Sequence, residues 1–311
     1  GVKVQYRNTT IALDPHRSPD TDFVFVSHAH LDHIHKPSSG EKIVTSKETA
    51  HLSRIRGYNI NEYMDNAESF QLIDSGHILG SRGLLIDNQI FYTGDIAGRT
   101  RGFIGPGKAV KCSTLIIEST FGKEEYVFPN TADIIRQTNE LISELFSKGI
   151  PIVLLGYPLG KAQLITYFTS LWDPIYVHES VQRMNEAYND LGVNIRNDHK
   201  EFSYASQKGL LDKKPWILIS PNRVGKTNFA NMVKKKYGAV TISFSGWGIN
   251  PGYKYKRGID HAFPLSDHCD FNELVSLYLG SLAASQSVES IGNSEKVNKN
   301  SILKVIKHSI L

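Results

Sequence analysis

The chain has 311 residues, 40% of them hydrophobic and 21% charged, with a formal net charge of +4 (35 basic minus 31 acidic). That balance describes an ordinary globular chain with one large core or two smaller ones, and it excludes a disordered or disulfide-framed protein. No apolar run approaches a membrane span, no charged-then-apolar leader opens the chain, and Cys112 and Cys269 stand in no metal-type pairing, so a reducing cytoplasm is the expected compartment. The modest positive charge admits a polyanionic partner without requiring one.

Residues 2–13 alternate loosely around Asn8-Thr9 and predict a β-hairpin. Asp14 follows, ahead of Pro15, either as a turn residue or as a buried carboxylate that orients nearby imidazoles. Phe23-Val24-Phe25-Val26 reads as a short buried strand, and its end carries Ser27-His28-Ala29-His30-Leu31-Asp32-His33. With only 12 histidines in 311 residues, such a density of metal-ligating groups argues against a chance run of surface histidines. In an extended loop His28 and His30 leave on one side, while the adjacent Asp32 and His33 point apart. The stretch can therefore offer two imidazoles to one metal, and a carboxylate with an imidazole to a second. Ile43-Val44 predicts a strand, and residues 47–55 a helix with Ser46 as N-cap.

A strand at 70–73 leads into Ser75-Gly76-His77, which supplies a third imidazole for the first metal. Residues 84–86 and 90–93 form a hairpin around Asp87-Asn88 and end in Gly94-Asp95, a carboxylate placed to bridge two metals. The strand at 115–117 delivers Glu118. Ligands recurring at strand ends fit one edge of a sheet sandwich. From Thr131 the apolar spacing turns helical, with Gly149 at the close. Strand–turn–helix units then follow at 150–171, 174–191 and 216–237, which predicts a parallel sheet inserted into the first fold. A strand at 240–245, a basic segment holding Lys254, Lys256 and Arg257, and a helix at 271–279 complete the pattern; the tail from Ser281 is weakly patterned.

Two turns suit phosphates. Between strand and helix, residues 156–161 present free N–H groups, with Gly160 and Lys161 as the candidate contacts. Residues 220–227 approach a Walker A motif but lack its first glycine, so a nucleotide-hydrolysing reading is set aside and only backbone contacts are kept. Lys234-Lys235-Lys236 reads as a solvated helix face near a C-terminus. Lys254 and Arg257 are the better electrostatic candidates for nucleic acid.

Taken in order, His28-x-His30-x-Asp32-His33, His77 and Asp95 resemble the metallo-β-lactamase superfamily. Glu118 in ESTFG and His268 in LSDHCDF, separated by the α/β insertion, resemble its β-CASP branch of nucleases. YPLGKAQ (157–163), IYVHE (175–179), SGWG (245–248) and RGIDHAFPLSDHCDF (257–271) are similar to the DNA-ligase-associated exonucleases, often labelled 3′-end processing factors of mRNA. The likeness runs from Asp14 to about Gly292. It implies an α/β fold, an αββα sandwich from residues 1–128 and 262–311, with a β-CASP domain at 129–261.

The resemblance also implies two divalent ions, zinc or manganese by their nitrogen and oxygen donors. His28, His30, His77 and Asp95 would hold one, and Asp32, His33 and Asp95 a weaker second. Asp32, Glu118 and His268 are the implied catalytic residues, with His268, held by Glu118, protonating the leaving oxygen. RNA-cleaving members complete the second site with a late histidine. Val288-Glu289-Ser290-Ile291-Gly292 puts Ile291 there, an apolar residue as in DNA-directed members, unless His261 fills the place. The expected activity is that of a DNA exonuclease; RNA cleavage is the alternative, and hydrolysis of small thioesters or lactones a third. The expected partners are nucleic acid and proteins of DNA repair or RNA processing, with no membrane.

Overall fold

In the first unit, short runs of alternating apolar residues pair into two four-stranded sheets. β1 (Val2–Tyr6) and β2 (Thr9–Leu13) form an antiparallel hairpin, and β3 (Phe23–Phe25) and β4 (Ile43–Val44) add in parallel, in spatial order. α1 (Lys47–Ile55) starts where expected, with the Ser46 hydroxyl accepting from the Thr49 N–H at 3.0 Å. β5 (Phe70–Asp74), β6 (Arg82–Ile86) and β7 (Ile90–Tyr92) run antiparallel, and β8 (Thr114–Ile116) joins β7 in parallel. Asp87 and Asn88, both in left-handed conformation (φ 50° and 56°), turn the β6–β7 hairpin, and the Gln89 N–H donates to Ile86 O at 2.8 Å.

The computed structural model describes residues 1–67, 69–221 and 228–289, with side chains to residue 280. Ile291 and most of the turn expected at 220–227 lie outside the described residues. Two compact units divide the chain: Gly1–Arg99 with Pro106–Val127 and the chain from His268 on, and Thr100–Gly105 with Phe128–Asp267.

Strand alternation decides what each face of the first unit buries. Ile11, Leu13, Phe25 and Val44 of one sheet meet Phe70, Leu84 and Ile86 of the other in a shared core. Val24 and Ile43 point outward, where Ala50 of α1 and Ile60 cover them.

The second unit opens with α2 (Thr131–Ser147), then β9 (Ile152–Leu155), α3 (Lys161–Phe168), β10 (Ile175–Val177), α4 (Glu179–Asp190), β11 (Lys200–Glu201), α5 (Phe202–Gln207), β12 (Ile217–Ser220), α6 (Phe229–Tyr237), β13 (Val240–Phe244), α7 (Tyr253–Arg257) and β14 (His261–Phe263). Its six strands are all parallel, in the order β11-β10-β12-β9-β13-β14. The near-continuous apolar strands are buried on both faces. Ile152, Leu154, Ile217 and Ile219 face α2, α3 and α4, while Val153, Leu155, Trp216 and Leu218 face α5 and α6.

α8 (Phe271–Glu289) belongs to the first unit, where Leu274 packs with Ile96, Cys269 and Ile117, covering the second sheet and giving the αββα layering. Three details differ from the sequence reading. The insertion ends at Asp267 rather than at 261, because β14 pairs with β13. α8 runs past 279 to Glu289. β11, α5 and α7 were not anticipated, being too short to show a period. No helix among the described residues is long and apolar enough to cross a membrane.

Candidate metal centre

The His28–His33 loop, His77, Asp95 and Glu118 each follow a strand of the first unit. β3 ends at Phe25, Val26 still donates to Val44 O (3.0 Å), and the chain then turns through His28–His33 with His33 N on His30 O (3.1 Å). The Arg56 guanidinium donates to Ala29 O, pinning the loop between the first two imidazoles. His77 lies past β5, where the Ser81 hydroxyl accepts from the N–H groups of His77 (3.1 Å) and Ile78 (3.0 Å). Asp95 follows β7 through Gly94, whose φ is +56° and where a Cβ would stand 2.7 Å from that of Ser27. Only glycine lets the two ligand loops approach so closely.

These loops gather four donors. His28 Nε2 and His77 Nε2 each lie 3.1 Å from His30 Nδ1, and each lies 3.5 Å from Asp95 Oδ2. Ligand bonds of ~2.1 Å in a tetrahedron require edges of about 3.4 Å, so the cluster has the size and donor chemistry of a divalent cation site. Asp95 turns its other oxygen, Oδ1, to His33 Nε2 at 3.5 Å, and Asp32 Oδ2 lies 3.8 Å from the same nitrogen. Asp32 is 77% exposed at its side chain, so this second group is wider and wetter than the first. Burial, then the charges of neighbouring imidazoles, holds His28 well below the ordinary imidazole range. Burial also pushes the Asp95 carboxyl up, to about 7.

Asp14 sits behind the second group. Buried at a left-handed φ of 45°, it accepts from Ser27 N (2.7 Å), Ser27 Oγ (2.6 Å), His33 Nδ1 (2.8 Å) and Tyr92 Oη (2.8 Å). This fixes the His33 ring with Nε2 turned toward Asp95 and Asp32. Burial opposes protonation of His33. The hydrogen bond and charge of Asp14, with the charges of Asp95 and Asp32, outweigh it and raise the imidazole to about 9. Sequence reasoning did not anticipate Ser27 or Tyr92 here; Tyr92 carries no local signal, being one aromatic residue in an apolar strand.

Glu118 and His268 meet on the other flank. His268 Nδ1 lies 2.9 Å from both Glu118 oxygens and 4.0 Å from Asp95 Oδ2. Glu118 also accepts from Ile96 N (2.8 Å) and from the Thr120 hydroxyl, and Cys269 N donates to Ile96 O at 2.7 Å. Arg99 pairs with buried Asp270 and with Glu273, tying the Asp95 loop to the His268 loop. The segments bearing Asp95, Glu118 and His268 are thus cross-linked by hydrogen bonds that no single motif reveals.

Comparisons with known proteins fit this constellation. No family model matches the chain. It is 31% identical to a protein named "Probable DNA ligase" from Opitutus terrae, across 81% of this chain but 25% of that one. It is 28% identical to an "RNase J-like protein" from Methanocaldococcus jannaschii, across 70% of this chain and 67% of that one. A "Transcription termination factor FttA" from the same archaeon is 24% identical over 46% of this chain and 30% of its own. This chain belongs to the β-CASP branch of the metallo-β-lactamase superfamily. The β-CASP chain also shares its fold with a crystal structure of a protein of unknown function from Enterococcus faecalis V583, with a TM-score of 0.55 and 15% identity over 95% of this chain and 80% of that one.

In this β-CASP protein the turn at 156–161 is not the phosphate cradle the sequence suggested. Lys161 is only 1% exposed, and its ammonium donates to Leu265 O (2.7 Å) and pairs with Asp267 (3.3 Å). Its burial lowers the ammonium to about 8. The Gly160 N–H is likewise engaged, by Gln163 Oε1 at 2.7 Å. Both groups brace the start of α3. Lys254 and Arg257 do reach the surface, on α7. His261 lies on β14 and joins no cluster of metal-ligating groups among the described residues.

Proposed function

We propose that this chain is a metal-dependent nuclease that hydrolyses phosphodiester bonds and acts on DNA from a free end. The observation that carries the reading is the four-donor cluster of His28, His30, His77 and Asp95, with the His268–Glu118 pair beside it; the His77 and His268 rings are centred 4.6 Å apart. Thiolate-free nitrogen and oxygen donors suit zinc, or manganese. His28, His30, His77 and Asp95 would hold the tight ion, and Asp32, His33 and Asp95 the weaker one. Two divalent cations held there would lower the pKa of a water and offset charge on the attacked phosphate.

The protein's own groups do the rest. Asp95 spans the two positions with its separate oxygens, and Asp14 orients His33 from behind. Exposed Asp32 leaves the second position open to substrate oxygens. Glu118 holds His268 by Nδ1, which directs Nε2 to deliver a proton to the leaving oxygen.

The preference for DNA rests on Ile291 where RNA-cleaving members carry a histidine, and on the likeness to the probable DNA ligase. That likeness also supports work beside DNA repair proteins. The RNase J-like relative and a "Probable RNase MJ4" favour RNA as the second reading, with RNA-processing partners. Buried cysteines at 112 and 269 with no disulfide between them suit the cytoplasm. The test is a matched pair of end-labelled DNA and RNA strands with zinc or manganese. Stepwise shortening of DNA is expected; strong RNA cleavage with inert DNA would overturn the substrate assignment.

A further inference from the structure

Ser27, the residue just ahead of the first imidazole, sits where its single hydroxyl proton has one place to go. The side chain is buried, with Oγ 2.6 Å from Asp14 Oδ2 and 2.9 Å from His28 Nδ1. A hydroxyl donates one hydrogen bond and accepts with the rest of its oxygen, whereas an ionised carboxylate only accepts. At Asp14, therefore, Ser27 donates, and 2.6 Å is the separation of a charge-assisted bond. The same carboxylate oxygen takes the His33 Nδ1 and Tyr92 hydroxyl protons, each at 2.8 Å, so it has no proton to return.

Only lone pairs of Ser27 Oγ are then left for His28. His28 Nδ1 must hold the ring proton and donate it, which leaves Nε2 bare. Nε2 is the atom that belongs to the four-donor cluster, 3.1 Å from His30 Nδ1 and 3.5 Å from Asp95 Oδ2. A metal binds imidazole through an unprotonated nitrogen, so the hydroxyl prepares the ring for its ion. The backbone keeps the hydroxyl in place. Ser27 N donates to Asp14 Oδ1 at 2.7 Å, and Ser27 O accepts from Arg82 N at 2.9 Å. A Cβ at Gly94 would stand 2.9 Å from Ser27 Oγ, so glycine there also leaves the hydroxyl its room.

We propose that Ser27 is a positioning residue for the first metal position: its hydroxyl, aimed by Asp14, fixes His28 in the tautomer that offers Nε2 to the ion. One buried carboxylate then serves both positions, reaching His33 directly and His28 through Ser27. The inference rests on the metal-site reading above and deepens it.

Histidine-selective NMR of the ring nitrogens in the metal-free full chain reads the tautomer directly. His28 should carry its proton on Nδ1 in the parent. In Ser27→Ala that proton would be buried without an acceptor, and the signal should move toward the Nε2–H form. Asp14→Ala, which removes a group one hydroxyl away from His28, should move the same signal. In competition with a chromophoric chelator, Ser27→Ala should bind its first zinc roughly 10- to 100-fold more weakly than the parent, and its second with a smaller change. A parent His28 protonated on Nε2, an unchanged first affinity in Ser27→Ala, or the parent tautomer retained in folded Asp14→Ala would each overturn the proposal.

These measurements use no nucleic acid. If they turn out as expected while the zinc- or manganese-loaded parent cleaves neither DNA nor RNA, the nuclease reading falls and Ser27 keeps its role. If the parent cleaves while His28 holds its proton on Nε2, the Ser27 proposal falls alone.

Discussion

Replacing Asp14 by Asn tests how the proposed second metal position is held. The carboxylate accepts four hydrogen bonds, and His33 Nδ1 at 2.8 Å is the one that reaches a candidate ligand. In the metal-free chain His33 is raised from 6.5 to about 9, against the opposing effect of burial. That interval corresponds to roughly 3 kcal/mol favouring the imidazolium in the folded state. Asp95 and Asp32 share in it, so Asn at position 14 should remove about half or more, roughly 2 kcal/mol. The sign is that of a raised histidine. Its contribution to stability is fully present below 6.5, shrinks as pH rises, and is lost above about 9. Histidine-selective NMR titration of the metal-free protein should find the His33 midpoint near 9 in the parent and about a unit or more lower in Asp14→Asn. Thermal melts should lose stability between pH 6.5 and 9 in the parent, and less in the variant. An unchanged midpoint in Asp14→Asn would refute the assignment of the shift to Asp14.

The remaining expectations concern the metals, the proton and the buried lysine. After dialysis, metal analysis should find roughly one ion per chain in the parent and in Asp32→Ala, but none in His77→Ala, because three imidazoles and a carboxylate close only the first position. Equal retention at two positions would contradict that asymmetry. Glu118→Gln should keep its metal and lower kcat roughly 100-fold with little change in KM, since Glu118 holds the imidazole proposed to deliver the proton and stands outside the four donors of the first position. Lys161→Met should cost about 3 kcal/mol of stability in denaturant melts, because Asp267 and Leu265 O lose their cation. Its oligonucleotide affinity should keep the parent's salt dependence; a flatter one would restore Lys161 as a phosphate contact.

Much of the fold was legible because its signals are local. The runs Phe23-Val24-Phe25-Val26 and Ile152-Val153-Leu154-Leu155 announce strands, and Ser46 announces α1, since neighbouring residues carry both periodicity and capping. Elements of two to five residues, such as β11, β14 and α7, hold too few side chains to show a period, which moved the end of the insertion to Asp267. The Lys161 turn misled for a different reason. Gly-x-x-x-Gly-Lys between strand and helix has the composition of an anion site, but the lysine's partner, Leu265 O, lies 104 residues away.

The sequence by itself determined the residue types, and for His28, His30, Asp32, His33, His77, Asp95 and Glu118 their placement after strands, with His268 ahead of a helix. Tertiary structure decided how they are shared. Only folding turns one Asp95 oxygen to the three-imidazole cluster and the other to His33, sets Asp14 under His33 and Tyr92, and joins Glu118 to His268 across 150 residues. The physical reason is that donor chemistry and strand propensity belong to a residue and its neighbours. Burial and hydrogen-bond partnership belong to loops brought together by packing two sheets around one core.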